Sequence, residues 1–366
     1  MNYFDHNATT PIAPEVLAVL NQVQAEVYGN PSSIHAAGQR ARRVVEAARG
    51  QVAALLGCGA KEVVFTSGGT EADNLAVLGA PGGHVITSAV EHPAVLSAVE
   101  QRGNATVLAV DSSGLVSVEA LRAALRADTA LVSVMHANNE TGVVQPIAEL
   151  AAAAHEAGAL FHSDGVQAAG KIDCDVRALG VDLYSIAGHK FNAPKGVGAL
   201  YVRDGVKLKA RQFGGRHERE LRAGTENVPG IAALGAAAVL PAAETGALRD
   251  LLEQFVLERI GGTRVHGAGA LRTPNTSNIS FAGVSAESLL IALDLAGFAV
   301  ATGAACSSGA TRPSHVLTAM GIAAEESRSS IRFSLGRGNT REQVDGLLAA
   351  LERAVARLRK LSPAHA

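Results

Sequence analysis

Apolar positions in the first 240 residues alternate between two periods. Across residues 40–56, Val44, Val45, Ala48, Val52, Leu55 and Leu56 recur at helical spacing and share one face. Glu62–Thr66 (EVVFT) breaks that period and reads as a short buried strand, with a helix starting near Thr70. Further strand-like runs occur at His84–Thr87, Ala105–Val110, Ala130–His136, Ala159–His162, Asp182–Ile186 and Gly198–Val202, with helical patterns between several of them. This alternation predicts an α/β fold, a mostly parallel sheet wrapped by helices.

Beyond Pro241 the pattern changes. Leu248–Ile260 reads as a helix, and Ser277–Phe281, Ala299–Ala301 and Ser330–Ser334 read as isolated strands. Residues 341–360 form an amphipathic closing helix with Val344, Leu347, Leu348, Leu351, Val355 and Leu358 on one face. The division expected is a large domain over 14–245 and a smaller α+β domain built from 1–13 and 246–366. A chain of 366 residues is long enough for that arrangement.

Composition narrows the partners. The formal net charge is −2, so neither a polyanion nor a membrane surface is implied. Aromatic residues make up 4% and Trp is absent, which argues against base-stacking platforms for nucleic acid. No signal-peptide pattern opens the chain and no apolar run is long enough to span a bilayer, so a cytoplasmic location is expected. The three cysteines, Cys58, Cys174 and Cys306, are too few for a disulfide framework, which fits a reducing compartment, and they contain no CxxC pair, which argues against a thiolate zinc site.

Candidate chemistry gathers at predicted strand ends. Most lysines are solvated surface charges. Lys190, however, follows the apolar run DLYSIA and precedes a Gly/Pro-rich turn, where desolvation would lower its pKa and make it a Schiff-base nucleophile. Asp164 ends the run ALFHSD. It could serve as a carboxylate partner for a pyridine nitrogen, or equally as a helix N-cap. Both lie at the carboxyl edge of the predicted sheet, where α/β folds bind ligands. The Ser67–Asn74 segment (SGGTEADN) offers small residues and backbone N–H groups to an anion, although turn chemistry alone also favours such residues. His92 precedes a helix opened by Pro93 and could stack on a ring and relay protons, though a loop His is more often a surface residue.

Cys306 lies in ATGAACSSGATRPSH, flanked by small residues with no large apolar neighbour to bury it. A mobile loop with an exposed thiol is the expectation, against the usual buried free cysteine. Cys58, between two glycines, and Cys174, between two carboxylates, are read as structural.

Together these segments resemble the cysteine desulfurases of the NifS/IscS type, within the class V aminotransferase-like, fold-type I enzymes that use pyridoxal 5′-phosphate. The resemblance runs nearly end to end. It is carried by YFDHNATTP at 3–11, GNPSSIH at 29–35, FTSGGTEADN at 65–74, EHPAVL at 91–96, MHANNETGVVQPI at 135–147, HSDGVQAAGK at 162–171, GHKFNAPKGVGALYVR at 188–203, GGRHERELRAGTENV at 214–228, GAACSSG at 303–309 and SSIRFSLGR at 329–337. The resemblance implies a seven-stranded, mostly parallel sheet in the large domain.

It also implies roles. Lys190 carries the cofactor, Asp164 pairs with its pyridine nitrogen, and Gln167 bonds its ring hydroxyl. His92 stacks on the ring and assists proton transfer. Gly69, Thr70 and His189 hold the phosphate, and Thr225 reaches a phosphate across a homodimer interface. Asn30, Asn139 and Arg332 make substrate-carboxylate and ring-side contacts, an Arg fork suiting a carboxylate. Cys306 is the nucleophile that takes sulfur from L-cysteine and passes it to an acceptor protein, a cluster scaffold or a tRNA-thiolation protein. Selenocysteine lyase, or another class V reaction, is the alternative.

The chain departs from the family at Ala187, where the usual SGHK reads AGHK, and at ATGAAC in place of SSGSAC. The first removes a hydroxyl donor to the phosphate, and the expectation is weaker cofactor retention rather than lost chemistry.

Overall fold

In the computed structural model, residues 1–302 and 313–361 are described. Twelve strands occur among them in chain order. They begin with β1 (Asn2–Tyr3), β2 (Val63–Thr66), β3 (His84–Ser88), β4 (Ala105–Leu108), β5 (Thr129–Ser133) and β6 (Leu160–Asp164). Then come β7 (Leu183–Ala187), β8 (Gly198–Val202), β9 (Thr263–Val265), β10 (Thr276–Phe281), β11 (Phe298–Ala299) and β12 (Ser330–Ser334).

Seven strands form the large sheet, in the order β2-β8-β7-β6-β5-β3-β4. Only β8 runs against its neighbours; the other pairings are parallel. Strands β2, β3, β6, β7 and β8 are buried almost throughout, because helices cover both faces and leave no solvated side. One apolar core lies under the helices Ala36–Leu55, Ile147–Glu156 and Val228–Ala238, and another under Gly69–Gly79 and Pro93–Arg102.

The sequence reading of this sheet holds strand by strand, with the ends shifted by a few residues. The largest shift is at β5, which stops at Ser133 rather than His136. The Met135 backbone N–H bonds the Glu91 carboxylate instead of a neighbouring strand, although the His136 N–H still reaches the Asp164 carbonyl of β6.

A separate core joins Phe4 to residues between Leu252 and Val355. It is built on the antiparallel sheet β12-β10-β9 and the closing helix Arg341–Leu361, whose apolar stripe buries Val344, Leu347, Leu348, Leu351 and Val355. The N-terminal segment reaches it through β1, which pairs in parallel with β11, and through the Ser334 N–H bond to the Phe4 carbonyl. Expected strand Ala299–Ala301 is Phe298–Ala299, with Ala301 bridging Arg332 alone.

Candidate active site

Strands β2, β3, β5, β6 and β7 all point their carboxyl ends to one edge of the large sheet, and the segments that leave them build a single cleft of about 470 Å³. That is a common size for a small-ligand site. Gly69, Thr70, His92, Asn139, Asp164, Gln167, His189, Lys190 and Arg332 all line it, together with Asp5, Asn7, Asp73 and Ala187.

Adjacent strands β6 and β7 set the centre. Asp164 is the last residue of β6, and its Oδ1 accepts the Val166 N–H at 2.9 Å in a turn that opens no regular helix. Strand β7 ends at Ala187 and runs into a short turn, Gly188–Lys190. Lys190 Nζ donates to the backbone carbonyls of Asn7 (2.7 Å) and Ala8 (2.9 Å). Burial, then the Arg332 charge, push its pKa down to about 8, with Asp164 and Asp5 opposing. Burial raises the Asp164 carboxyl, against the pull of the Val166 N–H, His92 and Lys190.

Two more buried carboxyl groups act on Asp164, Asp73 in the cleft wall and Glu91. Burial raises both, Glu91 to about 8, and Asp164 adds to each.

The helix Gly69–Gly79 opens at Gly68 without a side-chain cap, so its first N–H groups are left for an anion. A Cβ on Gly69 would lie 2.7 Å from Val166 Cγ2, so only glycine lets this turn close against the segment that follows β6. His189 completes that end. Its Nδ1 bonds Thr9 Oγ1 at 3.2 Å, and burial lowers its pKa to about 4. Ala187 occupies the wall beside this turn and supplies no hydroxyl there, as the sequence indicated.

His92 caps the helix Pro93–Arg102, its Nδ1 accepting from the Ala94 N–H at 3.2 Å. Desolvation lowers its pKa, opposed by Asp164. Arg332, on β12, donates to the Asn139 carbonyl (3.0 Å) and to Asp5 Oδ1 (2.6 Å). Among the described residues its Nε is buried without a partner.

Asn30 and Thr225 do not line this cleft; both are exposed in the single chain. Asn30 Oδ1 accepts the Ser32 N–H instead. Cys306 lies outside the described residues. Cys174 is buried, its sulfur bonded to the Ile172 carbonyl and the Tyr184 hydroxyl, and Cys58 is half-buried. Burial, more than any nearby carboxylate, pushes both thiols up to about 12, so neither is a thiolate at neutral pH.

Asp5, Asn7, Asp73, Glu91 and Lys171 carried no assignment in the sequence reading. A faint signal existed for two of them. Asp73 sits on the otherwise apolar face with Ala72 and Ala76, and Glu91 directly precedes His92. The N-terminal pair has no local signal, because its role depends on contacts 132 to 327 residues away.

The sheet order, the strand-end lysine and the anion-binding turn define the class: this is a fold-type I, pyridoxal-phosphate-dependent transferase fold. The family model described as aminotransferase class-V matches residues 2–347. Cysteine desulfurase 2 of Trichormus variabilis is 46% identical over 376 residues, covering 99% of this chain and 94% of that protein. The NifS-like protein of Rickettsia africae superposes with a TM-score of 0.90 at 35% identity, over 97% of this chain and 99% of that one. A structure described as SspA in complex with cysteine gives 0.84 at 34% identity, over 93% and 100%. The chain belongs to the class-V aminotransferase family and, within it, to the cysteine desulfurases.

Proposed function

We propose that the chain is a pyridoxal-phosphate-dependent cysteine desulfurase. It takes L-cysteine and an enzyme thiol to L-alanine and an enzyme persulfide, breaking the substrate C–S bond and forming an S–S bond on Cys306. The observation that carries this reading is the delivery of Lys190, Asp164 and an uncapped helix N-terminus into one cleft from the carboxyl ends of β7, β6 and β2.

The donor set fits the cofactor. The N–H groups at Gly69 and Thr70, with His189, would hold its phosphate. Buried Asp164 would gain a cationic partner at the pyridine nitrogen and remain ionised. Gln167 would meet the ring hydroxyl, with Asn139 at the ring side, and His92 would lie against the ring. The cofactor, when bound, supplies an electron sink for the carbanion formed at the substrate α-carbon.

Lys190 Nζ is the attachment point and then the base for the α-proton. A pKa of about 8 leaves a useful fraction of neutral amine at physiological pH. Arg332, steadied by Asp5, receives the substrate carboxylate, and its spare buried Nε awaits an acceptor. His92 relays protons at the cleft mouth. Cys306 carries the sulfur to an acceptor protein, a cluster scaffold or a tRNA-thiolation protein.

We also propose a homodimer. Thr225 and Asn30 fall outside the cleft of their own chain. The turn at Pro31 and Ser32 and the segments around His217 and Glu226 share one groove. Near these segments Tyr28, Ile34 and Phe213 are 86%, 93% and 85% exposed, a cost that a second copy would remove. Thr225 then reaches the partner's phosphate site, and Asn30 keeps its substrate role only where the second copy supplies it. The absence of any helix, among the described residues, long and apolar enough to cross a membrane is compatible with a cytoplasmic enzyme.

Sulfide and alanine measured from L-cysteine with a reductant test the assignment. Lys190→Ala should abolish both products. Cys306→Ala should abolish sulfur transfer, and retention of full desulfuration in both variants refutes it. Selenocysteine as competing substrate tests the selenocysteine lyase alternative.

A further inference from the structure

Lys171 and Asn7 take no part in the mechanism above, yet they sit directly behind it. Asn7 is buried, and every polar group of its amide and its carbonyl is used. Its Nδ2 donates to the Asn139 carbonyl at 3.1 Å, which forces Oδ1 to the opposite side. There Oδ1 accepts from Lys171 Nζ (3.1 Å) and Asn275 Nδ2 (3.0 Å). The Asn7 carbonyl accepts from Lys190 Nζ (2.7 Å) and Gln167 Nε2 (2.9 Å). Lys171 Nζ closes the network with a 2.6 Å bond to Gln167 Oε1.

We propose that Lys171 is a positioning residue that fixes the sense of the Gln167 carboxamide, so that an N–H rather than the carbonyl oxygen faces the cofactor's ring oxygen. The proposal rests on the pyridoxal-phosphate reading of the cleft.

A carboxamide fits its site in two senses, and its neighbours choose between them. The Asn7 backbone carbonyl can only accept, so it claims one N–H of Gln167. Lys171 donates to the oxygen on the other side. A flipped amide would set two carbonyl oxygens against each other and would put an NH₂ against an amine. The second N–H of Nε2 remains for the cleft that Gln167 lines. Burial and the charges of Lys190 and Arg332 lower the Lys171 pKa well below the ordinary lysine value. Even the neutral amine keeps two N–H donors, which matches its two acceptors. Lys171 follows Gln167 by four residues, across the turn that leaves β6. The same turn that places Asp164 therefore carries the device that orients Gln167.

The test is a binding cycle. Dissociation constants of pyridoxal phosphate and of its 3-deoxy analogue, which lacks the ring hydroxyl, are measured by absorbance titration. The proteins are the cofactor-free natural chain, Lys171→Met and Lys171→Arg, with a melting curve for each. The natural chain should prefer the hydroxylated cofactor by roughly tenfold or more, the worth of one charge-assisted bond. Lys171→Met should lose that preference, binding both ligands alike, and Lys171→Arg should keep most of it. Adding Gln167→Met to Lys171→Met should change the preference no further.

If Lys171→Met weakens both ligands by the same factor and leaves the preference intact, Lys171 is only a brace for the N-terminal segment and the proposal is overturned. Should Lys171→Met not fold, Lys171→Leu, which likewise offers no N–H donor, carries the same comparison with the same two outcomes. A natural chain that binds neither ligand refutes the pyridoxal-phosphate reading itself, an outcome distinct from any change of preference.

Discussion

At the residue scale, the chemistry turns on how protein atoms replace water around single groups. Lys190 is recognisable in the sequence because a strand-like run delivers it to a turn, and that context alone implies desolvation. What the sequence does not contain is the amine's partners. Two backbone carbonyls from residues 7 and 8 hold it, and the Arg332 charge lowers its pKa further. The sign of the consequence follows. A lysine with a depressed pKa sheds its proton earlier as pH rises, and only the neutral amine attacks an aldehyde. The rate at which the cofactor-free protein takes up pyridoxal phosphate should therefore climb to a plateau with a midpoint near pH 8. Absorbance stopped-flow across pH 6–10 checks this. A rate still rising steeply at pH 10 would mean an ordinary, solvated lysine.

At the element scale, the carboxyl end of β6 decides the site's shape. The turn after Asp164 must pass under Tyr184 of β7, whose ring is fully buried and bonded to His136 and Cys174. A Cβ at Gly165 would overlap that ring. Gly165→Ala must then displace either Tyr184 or the Asp164–Gln167 turn, and overpacking of this kind costs about 1–3 kcal/mol or more. The expected result is a lower midpoint in urea and weaker cofactor binding together, because one turn serves both. Loss of stability with unchanged cofactor affinity would show that Tyr184 alone had given way. The strands themselves were legible: runs such as EVVFT and GALYV are too short and too evenly apolar for anything but buried strands in this context. Their ends were less so. Periodicity does not reveal that the Met135 N–H leaves the ladder to bond Glu91.

At the scale of the whole molecule, the first ten residues tie the two cores together. Phe4 is fully buried in the second core, while Asp5, Asn7 and Ala8 reach Arg332, Gln167 and Lys190 in the cleft. Phe4→Ala should cost about 3–5 kcal/mol through the cavity it leaves. It should also weaken cofactor binding, although residue 4 itself does not line the cleft. Urea unfolding and a cofactor titration on the same variant check both effects, and an unaltered affinity would show that Asp5–Ala8 hold their places without the Phe4 anchor.

The sequence by itself determined the alternation of elements, hence a mostly parallel sheet. It also determined the residues that local context marks: a lysine after a strand, an aspartate ending one, a glycine-rich turn opening a helix. Those features are legible because each follows from a few neighbouring side chains. Tertiary structure alone decided how they are supported. The Asn7 hub, the buried Asp73 and Glu91 acting on Asp164, and the Lys171 bond to Gln167 join segments that the chain holds far apart or turns away from regular periodicity. Hydrogen bonds across such distances leave no periodic trace, because what selects each partner is the geometry of the folded sheet edge rather than its place along the chain.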